Sequence, residues 1–249
     1  MTALHYRQIL GVRFFTGSPS EAVSAGLRGG LVAVPAAPLL IEMPHDAATR
    51  AALLNADLVI TDSGFMVLLW WLFRHERLPR VSGLEYLRLM LQEPELKEPG
   101  SMFWVMPGAA ARDRARAWLR AQGLRCADED FYLAPMYPAG AIDDPELLRR
   151  LSERRPRHIV LALGGGTQER LGLSLKNSLG YRPGIHCIGA AIGFLTGDQV
   201  AIPAWADYLY LGWLMRCISA PRRFVPRYWR ARKLASLMWR HGDRLPDPA

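Results

Sequence analysis

The sequence predicts an α/β fold: a Rossmann-like, largely parallel sheet flanked by helices, with a basic, aromatic-rich helical appendage at the C-terminal end. Three observations carry this. Short apolar or β-branched runs alternate with amphipathic stretches as far as Ile202, half of the 249 residues are apolar, and aromatic and basic residues crowd together beyond Ile202. A chain of this size and apolar content can bury one large core or two modest ones.

The runs Gly30 to Pro35, Asp57 to Thr61, Ser101 to Met106, His158 to Leu163 and Ile185 to Ile188 read as buried strands, each short and almost continuously apolar. Between them, Asp46 to Asn55, Gly64 to Arg74, Gly83 to Gln92, Ala109 to Gln122 and Pro145 to Arg154 repeat apolar residues three and four apart, as one face of a helix does. Asp46 and Asp144 are suited to accept hydrogen bonds from the open N–H groups of a first turn. Strand and helix alternating in this way specify parallel strands joined by crossover helices. No repeat, low-complexity tract or long linker interrupts the chain, so residues 1–202 are expected as one core and 203–249 as the appendage.

Charge and cysteine content narrow the function classes. The formal charge is +8 and the isoelectric point about 9.8, which favours an anionic partner such as nucleic acid, a phosphorylated metabolite or an acidic membrane surface. Three widely spaced cysteines, Cys126, Cys187 and Cys217, fit neither a disulfide scaffold nor a zinc cluster and suit a reducing cytoplasm. The N-terminus lacks the long apolar stretch of a secretory signal. Gly64 to Phe73, the most apolar run, is about half of the roughly 20 residues a membrane-spanning helix needs. Its Val67, Leu68, Trp70, Trp71, Leu72 and Phe73 are apolar nearly all round, which suits a core, a subunit interface or a lipid surface.

Between Pro203 and His241 four tryptophans and three tyrosines stand among arginines and Lys233, with Asp207 the single acid. Rings at headgroup depth beside cations that meet anionic lipid are what an interfacial surface needs. A helical pair packed on the core with a solvated basic face has the same composition. Nucleic-acid binding has the charge but no recognised module or sequence-reading motif.

Three places are suited to chemistry, because ligands of open α/β sheets bind outside the carboxyl ends of the strands. Thr61-Asp62-Ser63-Gly64 ends one strand and enters an apolar helix. A carboxylate there suits a general base, its pKa raised by burial beside Phe65 and Trp70, or a helix cap bonded to the N–H groups beyond Gly64. Gly164-Gly165-Gly166-Thr167-Gln168-Glu169 ends another strand. Its glycines would let backbone N–H groups approach a phosphate at a helix start, although neither a Walker loop nor the spaced dinucleotide fingerprint is present. Arg80, before a helix start at Ser82 or Gly83, suits paired hydrogen bonds to an anionic group, or is an ordinary surface residue. The six histidines have no zinc-binding spacing, no G-x-S-x-G elbow occurs, and no D-x-D pair of the kind that chelates a UDP-bound cation is expected, so neither metal nor cofactor is expected.

Taken in order, N-A-D-x-x-x-x-D-x-G from Asn55, R-V-x-G from Arg80, L-G-x-x-x-Q-E from Leu163, and W-x-x-R followed by P-R-R-F-x-x-R-Y resemble the WecG/TagA/CpsF family of bacterial glycosyltransferases over roughly residues 30 to 230. The resemblance implies an inverting enzyme of cell-surface polysaccharide synthesis, cytoplasmic and peripheral to the inner face of the plasma membrane. Its substrates would be a UDP-sugar of the N-acetylmannosamine type and a polyprenyl-diphosphate-linked sugar acceptor. It further implies self-association, Asp62 as catalytic base, Arg80, Gly164, Gly165, Gln168 and Glu169 beside the nucleotide, and Arg216, Arg223 and Arg227 in a C-terminal appendage that meets the diphosphate and the membrane. The family's T-x-N is absent, the chain reading Ala33-Val34-Pro35 and Ala36-Ala37-Pro38, Gly193 stands in place of an aspartate, and Ala201 in place of an arginine. These departures imply an altered donor specificity or, alternatively, an inactive membrane-surface or scaffold protein on the same fold.

Overall fold

The computed structural model describes residues 5–197 and 221–248. The chain opens with an antiparallel hairpin, β1 (Tyr6–Ile9) and β2 (Val12–Phe15), and continues through α1 (Pro19–Leu27). Then follow β3 (Gly30–Ala33), α2 (Ala37–Glu42), α3 (Ala47–Leu54), β4 (Leu58–Val59), α4 (Gly64–Arg74) and α5 (Gly83–Met90). The second half holds β5 (Met102–Met106), α6 (Ala109–Ala121), β6 (Phe131–Leu133), α7 (Pro145–Arg154), β7 (His158–Leu161), α8 (Thr167–Ser178), β8 (Gly184–Cys187) and α9 (Ala191–Leu195). The last described helix is α10 (Pro221–His241).

The strands form one sheet in the order β1-β2-β4-β3-β8-β7-β5-β6, parallel at every pairing except β1 with β2. This is the expected α/β architecture. Side chains alternate across it: Val32, Leu58, Trp104, Met106 and Val160 enter one core with α1, α5 and α6, while Leu31, Ala33, Val59, Phe103, Val105 and Leu161 enter the cores on the other face. Helices therefore cover both faces, which is why the central strands read as nearly continuous apolar runs.

The expected helix starts are built as the residue types dictate. The Asp46 carboxylate accepts from Ala48 and Thr49 N–H, that of Asp144 from Leu147 N–H. The hairpin, β6, α1, α2 and α9 are additions to the expected elements. At its far end the chain returns to the core, where Leu234 and Met238 of α10 are buried with residues of α2 and α4. The expected boundary at residues 202/203 lies outside the described residues.

One polar chain crosses the core. His158 Nδ1 and His186 Nε2, on neighbouring strands, are 3.2 Å apart, and His186 Nδ1 is 2.9 Å from the Tyr86 hydroxyl of α5. Burial holds both rings neutral, His158 lowered to about 4 and His186 to about 3 from 6.5. The unfolded chain protonates these rings below about pH 6.5. Their contribution to stability is therefore complete above that pH and is lost as pH falls toward 4 and 3. Urea unfolding should show a loss of roughly 1–2 kcal/mol per histidine between pH 7 and pH 5. A flat profile over that interval would refute it.

Candidate active site

The carboxyl end of β4 is strapped to the start of α5. Thr61 Oγ1 donates to Pro79 O (2.6 Å) and accepts from Val81 N–H (3.2 Å). One residue on, the main-chain oxygen of Asp62 accepts from Arg80 Nε (3.0 Å), and its Oδ1 accepts from Gly83 N–H (2.8 Å). Asp62 thus takes up a first-turn N–H of a helix, but the helix is α5, whose cap is Ser82 through Glu85 N–H. The start of α4 is capped by Ser63, whose hydroxyl accepts from Met66 N–H. Sequence order alone pointed to α4 because nothing in a linear reading shows that the R-V-S-G segment folds back over the strand end.

The glycine loop after β7 makes the second half of the site. Glu169, 1% exposed, accepts from Gly166 N–H (2.7 Å) and from Gln168 Nε2 (2.9 Å). Gln168 Nε2 also donates to Cys187 O, while its Oε1 accepts from Gly189 N–H (2.7 Å). Burial raises the Glu169 carboxyl above the usual range against the opposing effect of these hydrogen bonds. Gln168 and Glu169 are therefore a buried brace between the loops after β7 and β8. The hydrogen-bond acceptor at the start of α8 is the protein's own Glu169 side chain, so the backbone left open to a ligand there is that of the loop glycines.

Those glycines differ in what they require. Gly166 has φ +89, a conformation that side chains disfavour, and its would-be Cβ lies 3.6 Å from Leu39 Cδ1. Gly164 and Gly165 are exposed, have no positive φ, and a Cβ on either would meet nothing within 4 Å. Their lack of a side chain serves no contact within the described residues and leaves the backbone open to a ligand.

The two halves meet at the loop after β8. A Cβ on Gly83 would sit 3.0 Å from Val34 Cγ1 and 3.8 Å from both Asp62 Oδ1 and Ile188 O. Its neighbour Gly189 is the residue bound to Gln168. Asp62, Arg80, Gly164, Gly165, Gln168 and Glu169 accordingly share one rim, over the carboxyl ends of β4, β3, β8 and β7. Strand order reverses there, between β3 and β8, as expected of a ligand crevice. Val34, buried and apolar, stands beside Gly83, where the resemblance implies polar groups. The sequence reading gave no role at the site to Thr61, Gly83 and Gly189; for the two glycines, their place at element junctions was the available signal.

The opposite rim is a separate place. A broad cavity of about 750 Å³ lined by Arg120, Arg125, Cys126, Asp130 and Arg154 opens there and holds none of the expected site residues. The expectation of no D-x-D pair is corrected by Asp128-Glu129-Asp130, whose carboxylates are paired elsewhere, Asp128 with Arg116 and Asp130 with Arg154, away from the Asp62 rim. Arg216 lies outside the described residues. Arg223 and Arg227 lie on α10, with side chains outside the described set.

A family model described as the glycosyl transferase WecG/TagA/CpsF family matches residues 7–245, nearly the whole chain. A comparison with curated protein sequences finds no match.

Proposed function

The chain belongs to the WecG/TagA/CpsF family of glycosyl transferases, and on that premise we propose that it moves a sugar, of the N-acetylmannosamine type or related, from UDP to a polyprenyl-diphosphate-linked acceptor with inversion. The observation that carries this reading is Asp62 at the end of β4, its Oδ1 fixed by Gly83 N–H, on the same rim as the open glycines. Asp62 takes the proton of the acceptor hydroxyl, whose oxygen attacks the anomeric carbon from the face opposite UDP. The bond from that carbon to the diphosphate breaks and its electron pair leaves with UDP. Arg80 and the N–H groups of Gly164 and Gly165 stabilise the departing charge. Gln168 and Glu169 hold the loop in place as positioning residues.

No described helix is long and apolar enough to cross a membrane. The reading places the protein peripherally at the inner membrane face, where α10 and its basic side chains would meet anionic lipid. A second reading, a non-catalytic surface or scaffold protein, is favoured by Val34 and Gly193, which stand where the resemblance implies polar groups.

Thermal unfolding with and without UDP separates the two, because a ligand that binds only the folded state raises the midpoint. The wild type is expected to rise with UDP. The Gly164→Ala/Gly165→Ala variant should keep or slightly raise the ligand-free midpoint, since neither methyl meets anything, and lose about tenfold or more in UDP affinity. No rise for the wild type would favour the scaffold.

A further inference from the structure

The first turn of α8 reaches to both flanks of the glycine loop. Gln168 holds the loop after β8 on one side, and Arg170 holds the flank toward β6. The half-buried Arg170 guanidinium donates from Nε to Gly166 O (3.1 Å), from Nη1 to Pro138 O (2.9 Å), and from Nη1 again to Gly140 O. β5 lies between β7 and β6 in the sheet, so this one side chain spans the end of β5 and joins the loop after β6 to the loop after β7. Gly166 is thereby fixed at both of its polar groups, its N–H by Glu169 Oε2 and its oxygen by Arg170. Of the three loop glycines it alone takes a left-handed φ, and exposed Gly164 and Gly165 precede it. How those two present their N–H groups depends on how Gly166 is held.

The loop of residues 134–141 has little else to hold it there. Its start continues the sheet, Ala134 N–H donating to Met106 O (2.9 Å), and the Tyr137 hydroxyl donates to Asp144 Oδ2 (2.6 Å). Among the described residues, the hydrogen bonds made to residues 138–141 all come from Arg170. Met136 is 98% exposed, and a Cβ on Gly140 would meet nothing within 4 Å. The loop therefore stands over the strand ends with a bare apolar tip and open space beside it. A guanidinium whose hydrogen bonds go to three main-chain oxygens, none of them a carboxylate, is used for the reach of its planar fork, which the compact ammonium of a lysine does not have.

We propose that Arg170 is a positioning residue for the donor: it fixes the loop after β6 against the glycine loop as a second wall of the site, so that a nucleoside diphosphate meets N–H groups already in place. This rests on the donor reading proposed above and extends the site from the crevice between β3 and β8 toward β6. Without the tie, the two loops have to be ordered when the ligand binds. That weakens affinity and leaves the proton transfer at Asp62 unchanged.

The test is a titration of the full chain with UDP, read by thermal midpoint, for wild type, Arg170→Met and Arg170→Lys. Methionine keeps the unbranched stem and loses the donors; lysine keeps the charge, but its ammonium cannot span the three oxygens. Both variants should bind UDP about tenfold more weakly, with a ligand-free midpoint within about 4 °C of wild type. Amide exchange of the peptide carrying residues 136–142 should quicken in both and slow again with UDP bound. Arg170→Met combined with Gly164→Ala/Gly165→Ala should cost less than the sum of the separate losses, because both act on one loop. UDP binding by Arg170→Met within twofold of wild type, or unchanged exchange in the loop, would overturn the proposal and leave the donor reading standing. Full affinity in Arg170→Lys would assign the effect to charge and likewise overturn it, and this variant decides the matter if the methionine variant does not fold. No rise of the wild-type midpoint with UDP would end both.

Discussion

Asp62→Asn should lower the rate of sugar transfer by about 10²–10⁴, the usual contribution of a positioned general base, while leaving the fold intact. The asparagine keeps an oxygen to accept from Gly83 N–H, the hydrogen bond that ties β4 to α5. The main-chain oxygen that receives Arg80 is untouched by the substitution. Donor affinity should change little, because the replaced atoms act on the acceptor hydroxyl. Transfer kinetics with a parallel thermal melt check the prediction. Activity within threefold of wild type would remove Asp62 as the base.

Glu169→Ala is expected to be the most destabilising change at the site, by about 3 kcal/mol in urea unfolding. It removes a fully buried side chain and strands the Gly166 N–H and one hydrogen of Gln168 Nε2 without their acceptors. Each lost acceptor costs about 1–3 kcal/mol, partly recovered if water enters. Glu169→Gln should cost less, because burial already favours the uncharged carboxyl and glutamine has nearly its shape. Loss below 0.5 kcal/mol for the alanine variant would show that the brace between the β7 and β8 loops carries no stability.

What the sequence made legible follows from where each element lies. The central strands β3, β4, β5, β7 and β8 are buried on both faces, so apart from His158 and His186 their composition is apolar and marks them plainly. The hairpin is at the edge of the sheet, and Arg7, Gln8 and Arg13 break its apolar pattern. Its turn runs through Leu10 and Gly11, both at positive φ, a signature that is weak without an Asn or Asp. β6 is three residues long. The start of α1 did carry a sequence signal, the Ser18–Glu21 capping box that the structure forms, whereas α2 begins at Ala36 with no side-chain cap.

The site was legible to the same depth. A strand end running into a helix could be read at Asp62 and at the glycine loop, and both fall on one rim. What sits beside each group could not. Glu169 fills the helix start that the glycines suggested for a phosphate, through a bond to Gly166 only three residues away, and Asp62 accepts from the first N–H of α5 because a segment 21 residues on comes back over the strand end. Apolar Val34 was visible as a departure in composition, and the structure shows its consequence: a valine methyl packed 3.0 Å from the Cβ position of Gly83, beside the carboxylate. On the function proposed above, a donor bound beside Val34 would be a sugar with fewer hydrogen-bonding demands there than one read by polar side chains.

The central claim, that this chain is an active UDP-sugar transferase working at the Asp62 rim, is tested most directly by the transfer reaction itself. Labelled UDP-sugars are offered with a polyprenyl-diphosphate-linked acceptor in anionic vesicles, and label is followed into lipid for the wild type and Asp62→Asn side by side. Label reaching lipid with the wild type, with release of UDP and with the variant near background, is the predicted result. No transfer by a folded, vesicle-bound wild type with any UDP-sugar, or equal transfer by the variant, would contradict the account.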